Sequence, residues 1–228
     1  MIDIFKKLNS EIKNISVFFL VKNAIAESDS VELYGAIGAL KSIVAADLFT
    51  SLEKPVLWVF ESQEKARDAK TDVEHLLPVK SSALFPSPRK SKWGHDDVLV
   101  VSQQAEALEA LSRMERQILL VTKDALATRI KSPKEISKDV IRLDVGSDRS
   151  FKELIEHLRR IGFEREPVVE KPGDLAIRGG IVDVFPYTAV VPVRIEFWGD
   201  TVESIREFDL DSQRSTETIE QVKIFPKP

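Results

Sequence analysis

The chain has 228 residues, 43% apolar and 31% charged, with a formal net charge of −4; this globular balance excludes a disordered or collagen-like chain. It contains no cysteine, which excludes a disulfide framework and thiolate metal sites and fits a reducing, cytoplasmic compartment. No apolar run approaches the roughly 18–20 residues of a membrane span, and no signal-peptide core follows residues 1–7, so neither a membrane nor a secretory route is expected.

In chain order, the first half alternates strand and helix signals. Residues 31–34 and Val56-Leu57-Trp58-Val59-Phe60 are short apolar runs, the second bounded by Pro55, as buried parallel strands are. Between them, Leu33-Tyr34-Gly35-Ala36-Ile37-Gly38-Ala39-Leu40-Lys41-Ser42 reads as a strand end, a Gly-bearing turn and a helix start. That is the layout of a phosphate loop, G-x-x-x-x-G-K-[ST], with Gly35, Lys41 and Ser42 in place and Gly38 inside the turn. Leu40 replaces the second glycine. In a working loop that glycine lets backbone N–H groups wrap the phosphates at a helix N-terminus. A leucine there is expected to crowd the nest and to resist a positive φ. The loop therefore reads as degenerate, although a turn of this kind next to a lysine also arises by chance.

A helix over 40–52 follows, with Leu40, Val44, Leu48 and Leu52 at helical spacing. Ser62 is the expected N-cap of a helix that buries Ala66, Ala69, Val73 and Leu76 and stops at Pro78. Ala83-Leu84-Phe85 is a third strand, and 87–97 is a polar loop. Val101, Ala105, Leu108 and Leu111 mark another helix; residues 117–121 form a fourth strand, with a short helix over 124–130 after it. Such alternation predicts an α/β layer with a mostly parallel sheet.

After Pro133 the pattern changes. Residues 140–145 are extended and lead to a helix whose cap is Ser150 with Glu153; Phe151, Leu154, Ile155, Leu158 and Ile161 share one face, and Gly162 stops it. Strands are expected over 174–178, 181–185, 193–197, 202–208 and 221–225. Pro172-Gly173 is a type II turn signal and Gly199-Asp200 a type II′ hairpin signal. The fold class is thus α/β, a helicase-like parallel-sheet region over 1–135, followed by an α+β region with an antiparallel sheet over 136–228.

Little catalytic chemistry is visible. No Asp-Glu pair follows either apolar strand to hold Mg²⁺ and water, as a helicase-type ATPase needs. Asp96-Asp97 reads as charge at a helix start. His75, His95 and His157 lack ligand spacing, so no metal site is expected, and His157 reads as a solvated surface residue. Residues 1–139 carry 20 acidic and 20 basic side chains and the remainder 17 and 13, so neither half has the cationic excess that duplex binding needs. A local basic run such as Arg89-Lys90-Ser91-Lys92 could touch a phosphate, but it reads as an exposed, solvated turn.

Two stretches carry a family likeness. Gly173-Asp174-Leu175-Ala176-Ile177-Arg178-Gly179-Gly180-Ile181-Val182-Asp183-Val184-Phe185-Pro186 resembles a signature shared by the excision-repair protein UvrB and the transcription-repair coupling factors (Mfd). So does the run from Val193-Arg194-Ile195-Glu196-Phe197-Trp198-Gly199-Asp200 to Phe208-Asp209, with Ser212-Gln213-Arg214-Ser215 after it. UvrB keeps an intact G-K-T loop and a Tyr-rich hairpin that grips DNA. Here Leu40 spoils the loop and Tyr34 and Tyr187 are the only tyrosines, so the likeness is to the coupling factors' N-terminal, UvrB-like module.

The resemblance implies a module of nucleotide excision repair that docks UvrA through its α+β half. It also implies a polymerase-binding domain and an ATP- and Mg-dependent DNA translocase beyond Pro228, so no cofactor and no catalysis are expected of these residues. By matching spacing, the UvrA-facing arginines fall on Arg165 and Arg178, while a third used by UvrB falls on Ala176. Arg178 could instead bridge to Glu196 or Glu203 as ordinary cross-strand pairing. Gly179-Gly180 is expected to serve a bend, and Trp198 to be either an exposed anchor or a core-edge aromatic. A UvrB-type helicase fragment that still binds ATP stays as the alternative.

Overall fold

The computed structural model describes residues 16–228 except Asp29, Val79, Ser91, Trp93, His95, Met114 and Glu115; the side chains of Ser16 and Val17 are also outside it. The expectations for residues 1–7 and His95, and part of that for Arg89-Lys90-Ser91-Lys92, lie outside the described residues. The elements run α1 (Ser16–Glu27), α2 (Leu40–Leu52), β1 (Val56–Phe60), α3 (Gln63–Leu76), β2 (Ser82–Phe85), α4 (Val98–Ser112), β3 (Ile118–Thr122) and α5 (Lys123–Leu126). There follow α6 (Pro133–Asp139), β4 (Ile141–Asp144), α7 (Phe151–Arg160), β5 (Glu164–Arg165), β6 (Asp174–Arg178) and β7 (Ile181–Val184). The chain closes with β8 (Val193–Trp198), β9 (Thr201–Phe208), β10 (Ser215–Ile219) and β11 (Gln221–Ile224).

Contacts group the chain into two compact units, one drawn from Met1–Ser87 and Glu115–Ala127, the other from Pro88–Met114 and Thr128–Pro228. Helix α4, which precedes residue 135, falls in the second unit. The reason is packing: Val101 and Ala105 of α4 join the same core as Leu154, Leu175 and Ile195.

The first unit holds a parallel sheet in the order β1-β3-β2, with Ile118 in register with both Val56 and Ser82. Ile118 and Leu120 of the central strand are fully buried against Ala66, Ala69 and Val73 of α3 and Phe49 of α2. The Ser62 hydroxyl accepts from Lys65 N and fixes the start of α3, and the helix ends at Leu76, before Pro78. The strand expected over 31–34 does not form. Val31, Leu33 and Tyr34 are exposed, and the sheet takes its three strands elsewhere, so this short segment has no ladder to join. The helix expected over 124–130 shortens to the single turn α5, capped by Thr122.

The second unit carries a six-stranded sheet, β10-β9-β8-β7-β6-β5, antiparallel except for β5 beside β6, and a two-stranded antiparallel sheet of β11 and β4. One face of the large sheet buries Leu175, Val182, Val184, Val193, Ile195, Val202 and Ile205 against Leu154 and Leu158 of α7. Each such side chain contributes about 1.5–3 kcal/mol when fully removed from water. The sequence reading predicts neither α1 nor α6, although α6 has a capping box, Ser132 with Glu135, and Pro133 in its first turn. Strands β5 and β10 were also missed: one is two residues long, the other an exposed polar run, Ser215-Thr216-Glu217-Thr218-Ile219. Among the described residues no helix is long and apolar enough to cross a membrane.

Candidate functional site

Arg165 lies on β5, the edge strand, exposed and in register with Leu175. Arg178 ends β6, exposed, and its Nη2 donates to the Pro167 carbonyl at 3.3 Å. Strand alternation sends Leu175 into the main core and Ala176 to the opposite face, where it is buried with Val169, Phe185 and Phe208. Arg178 follows two residues later on that same outer face. Ala176 thus stands in a small satellite core and has no polar group to offer a partner.

The cross-strand alternative for Arg178 is not what forms. Arg178 faces Ile181 on β7, and Glu196 lies one strand farther, in register with Ile181. Glu196 is already engaged: it accepts from Ser204 Oγ at 2.8 Å and pairs with Arg206. Much of the signature is structural instead. Asp183 on β7 receives two hydrogen bonds from Arg194 on β8, whose guanidinium also donates to Gln213 O at 3.3 Å and lies over the Phe208 ring. Asp183, Arg194, Phe208 and Gln213, scattered over the two signature stretches, close into one clamp on the outer face.

Two tight turns sit side by side at one end of this sheet. Gly179-Gly180 joins β6 to β7 in two residues, with Gly179 at φ +59. Phe197 N donates to Gly180 O at 2.9 Å, and a Cβ on Gly180 would stand 2.9 Å from Phe197 O. The bend expected there is therefore a hairpin in which the second position needs close approach and the first a left-handed backbone. Gly199-Asp200 joins β8 to β9, with Gly199 at φ +62, as a type II′ turn requires. Trp198, just before it, is 78% exposed, which decides between its two readings. At Pro172-Gly173, Asp174 N donates to Lys171 O at 3.1 Å and Gly173 has φ +97, a type II turn.

His157 is not a solvated surface residue. It is half-buried on α7, with Nδ1 3.3 Å from Arg149 Nη2, and burial, then Arg160 and Arg149, push its pKa below the usual histidine value. Periodicity put it on the polar side of α7, and only the fold brings Arg149 and Asp139 against it.

The phosphate-loop residues come together, though not as a phosphate cradle. Gly35 and Gly38 both have positive φ, and α2 starts at Leu40. Leu40 N donates to Ile37 O at 3.3 Å and Lys41 N to Gly38 O at 3.4 Å, so the amides that would face an anion close the turn. The strain expected at Leu40 does not arise: its φ is not among the positive ones, and its side chain is exposed. Ser42 is buried and donates to Asp72 Oδ2 on α3 at 2.8 Å. A cavity of about 420 Å³ beside the loop is lined by Lys41, Ser42, Trp58, Phe60, Lys65 and Asp72. Trp58, Phe60 and Asp72 have no place in the loop motif, and no sequence signal ties them to it.

Residues 141–228 match the family model of the UvrB interaction domain. The chain is 30% identical over 221 residues to the transcription-repair-coupling factor of Bacillus subtilis, covering 94% of this chain and 18% of that protein. It is 31% identical over 220 residues to the same-named protein of Myxococcus xanthus, covering 92% and 18% respectively. The resemblance carried by the two signature stretches is thereby borne out. The chain spans about a fifth of the length of these relatives.

Proposed function

We propose that this chain is a protein-docking module of a transcription-repair-coupling factor, which recruits the excision-repair protein UvrA to RNA polymerase stalled at DNA lesions. The observation that supports it is Arg178: an exposed guanidinium, whose Nη2 donates to one backbone carbonyl, inside the segment that matches the UvrB interaction domain. Guanidinium forks pair bidentately with carboxylates and are enriched among residues that dominate interface energy. Arg165 on the neighbouring edge strand is the second docking residue in this reading. The first unit is a helicase-like scaffold whose loop has lost its nucleotide, in keeping with amides that bond back to the turn and a Ser42 hydroxyl taken by Asp72. ATP, Mg²⁺, DNA and polymerase are handled by other parts of the full protein, and no reaction is assigned to these residues.

Capture of purified UvrA by the wild-type chain and by Arg178→Glu tests this. Loss of capture with an unchanged melting temperature is expected. Undiminished capture, or loss that comes with a melting temperature several degrees lower, would refute Arg178 as a docking residue.

A further inference from the structure

The alternation of β8 sends Phe197 inward, where its ring meets that of Phe151 on α7, edge to face with centroids 5.3 Å apart. It sends Trp198 outward. The cross-strand neighbours there are too small to cover an indole: Thr201 on β9, and the side-chain-free Gly179-Gly180 turn of the next strand pair. An indole left 78% exposed keeps a large apolar surface in water, although the alternation and the turn would tolerate a polar residue.

The turn that presents Trp198 is tied by three hydrogen bonds to the segment 148–151. Asp200 O accepts from Arg149 N at 2.7 Å, and Asp200 Oδ1 accepts from Phe151 N at 3.0 Å. Thr201 Oγ1 donates to Asp148 Oδ1 at 2.8 Å. The indole is therefore carried on a fixed backbone, so little ordering is left to be done when a partner covers it.

The charges around it are unevenly matched. Asp148 and Asp200 accept from Thr201 and Phe151, and Glu196 is engaged by Arg206 and Ser204. Arg178 shares the outer face with Trp198, two strands and two residues away, roughly 12 Å by strand spacing. Its bond to Pro167 O uses a single N–H of five. Asp148 and Asp200 are themselves exposed; on the outer face Arg178 is exposed too and keeps N–H groups that can meet a partner's carboxylate.

We propose that Trp198 is the apolar anchor of the docking face: its indole enters an apolar cleft on UvrA, while Arg178 pairs with a carboxylate at the rim of that cleft. This rests on the docking function proposed above. Tryptophan and arginine set in one patch and ringed by satisfied polar groups make the arrangement that concentrates binding energy at interfaces.

The test is the affinity of purified UvrA for the wild-type chain, Trp198→Ala, Trp198→Phe and Arg178→Ala, with melting temperatures recorded alongside. Trp198→Ala should weaken binding about 30-fold with an unchanged melting temperature, and Trp198→Phe should recover most of the loss. Trp198→Gln, a polar replacement at the same position, should fail as Trp198→Ala does. Binding of Trp198→Ala or Trp198→Gln within twofold of wild type, while Arg178→Ala is impaired, overturns the anchor and leaves the docking function standing. Absence of wild-type binding to UvrA overturns both.

Discussion

Asp183 and Arg194 meet across the β7–β8 ladder in a two-bond fork, Nε to Oδ1 at 2.7 Å and Nη2 to Oδ2 at 2.8 Å. Asp183 is 2% exposed, so removal of Arg194 strands a desolvated carboxylate, and removal of Asp183 leaves the half-buried guanidinium without its counter-charge. Asp183→Ala or Arg194→Ala should lower the free energy of urea unfolding by about 3 kcal/mol. The double substitution should cost less than the two single losses added together. Single variants within 1 kcal/mol of wild type would show that the pair is not holding the outer face.

The paired glycines of the β6–β7 turn should differ in kind. Gly179 has open space around it, so Gly179→Ala meets only the backbone penalty of a left-handed conformation, about 1–2 kcal/mol. Gly180→Ala would drive a methyl to 2.9 Å from Phe197 O, a backbone atom that cannot swing away. Faster hydrogen exchange at Phe197 N, which donates to Gly180 O, should mark Gly180→Ala and not Gly179→Ala. Equal protection of that amide in the two variants would refute the distinction.

His157 should make stability depend on pH below neutrality. Its folded pKa is pushed below the ordinary 6.5, first by burial and then by Arg160 and Arg149, with Asp139 opposing. Between the two values the unfolded chain binds more protons than the folded one, so stability rises with pH there. The contribution is fully present above about 6.5 and is lost as pH falls through the folded value. Urea midpoints at pH 7.5 and pH 5.0 should differ less in His157→Gln than in wild type; an identical difference would exclude His157 as the source.

Labelled ATP titrated against the chain should give no saturable binding in the micromolar range, because Leu40 N and Lys41 N already donate to Ile37 and Gly38. Lys41→Ala should leave UvrA capture unchanged. Saturable ATP binding abolished by Lys41→Ala would instead favour the helicase fragment that keeps its nucleotide.

Most elements were legible from local signals. Ser62, Ser150 and Gly162 mark helix ends where the structure has them, and strands β6 to β9 and β11 follow alternation to within a residue or so. The misses have local causes. Residues 31–34 look like a strand because apolar runs do, yet strand formation needs a neighbour to pair with, and none is placed there. Helix α6 escapes a periodicity reading because it is seven residues long and its capping box falls in what reads as a linker.

Local sequence encodes most of the helices and strands, the caps and tight turns, and the family signature that the α+β half carries. These are properties of neighbouring residues: periodicity, side-chain capping and the φ freedom of glycine act within a few positions. Only the tertiary structure decided that Glu196 belongs to Arg206, that Asp183 and Arg194 close a clamp with Gln213, that α4 joins the second unit, and that Trp198 stays uncovered. Those outcomes depend on strand order and register. The order β8-β7-β6 puts Ile181 between Arg178 and Glu196, and no spacing along the chain encodes which strand lies beside which.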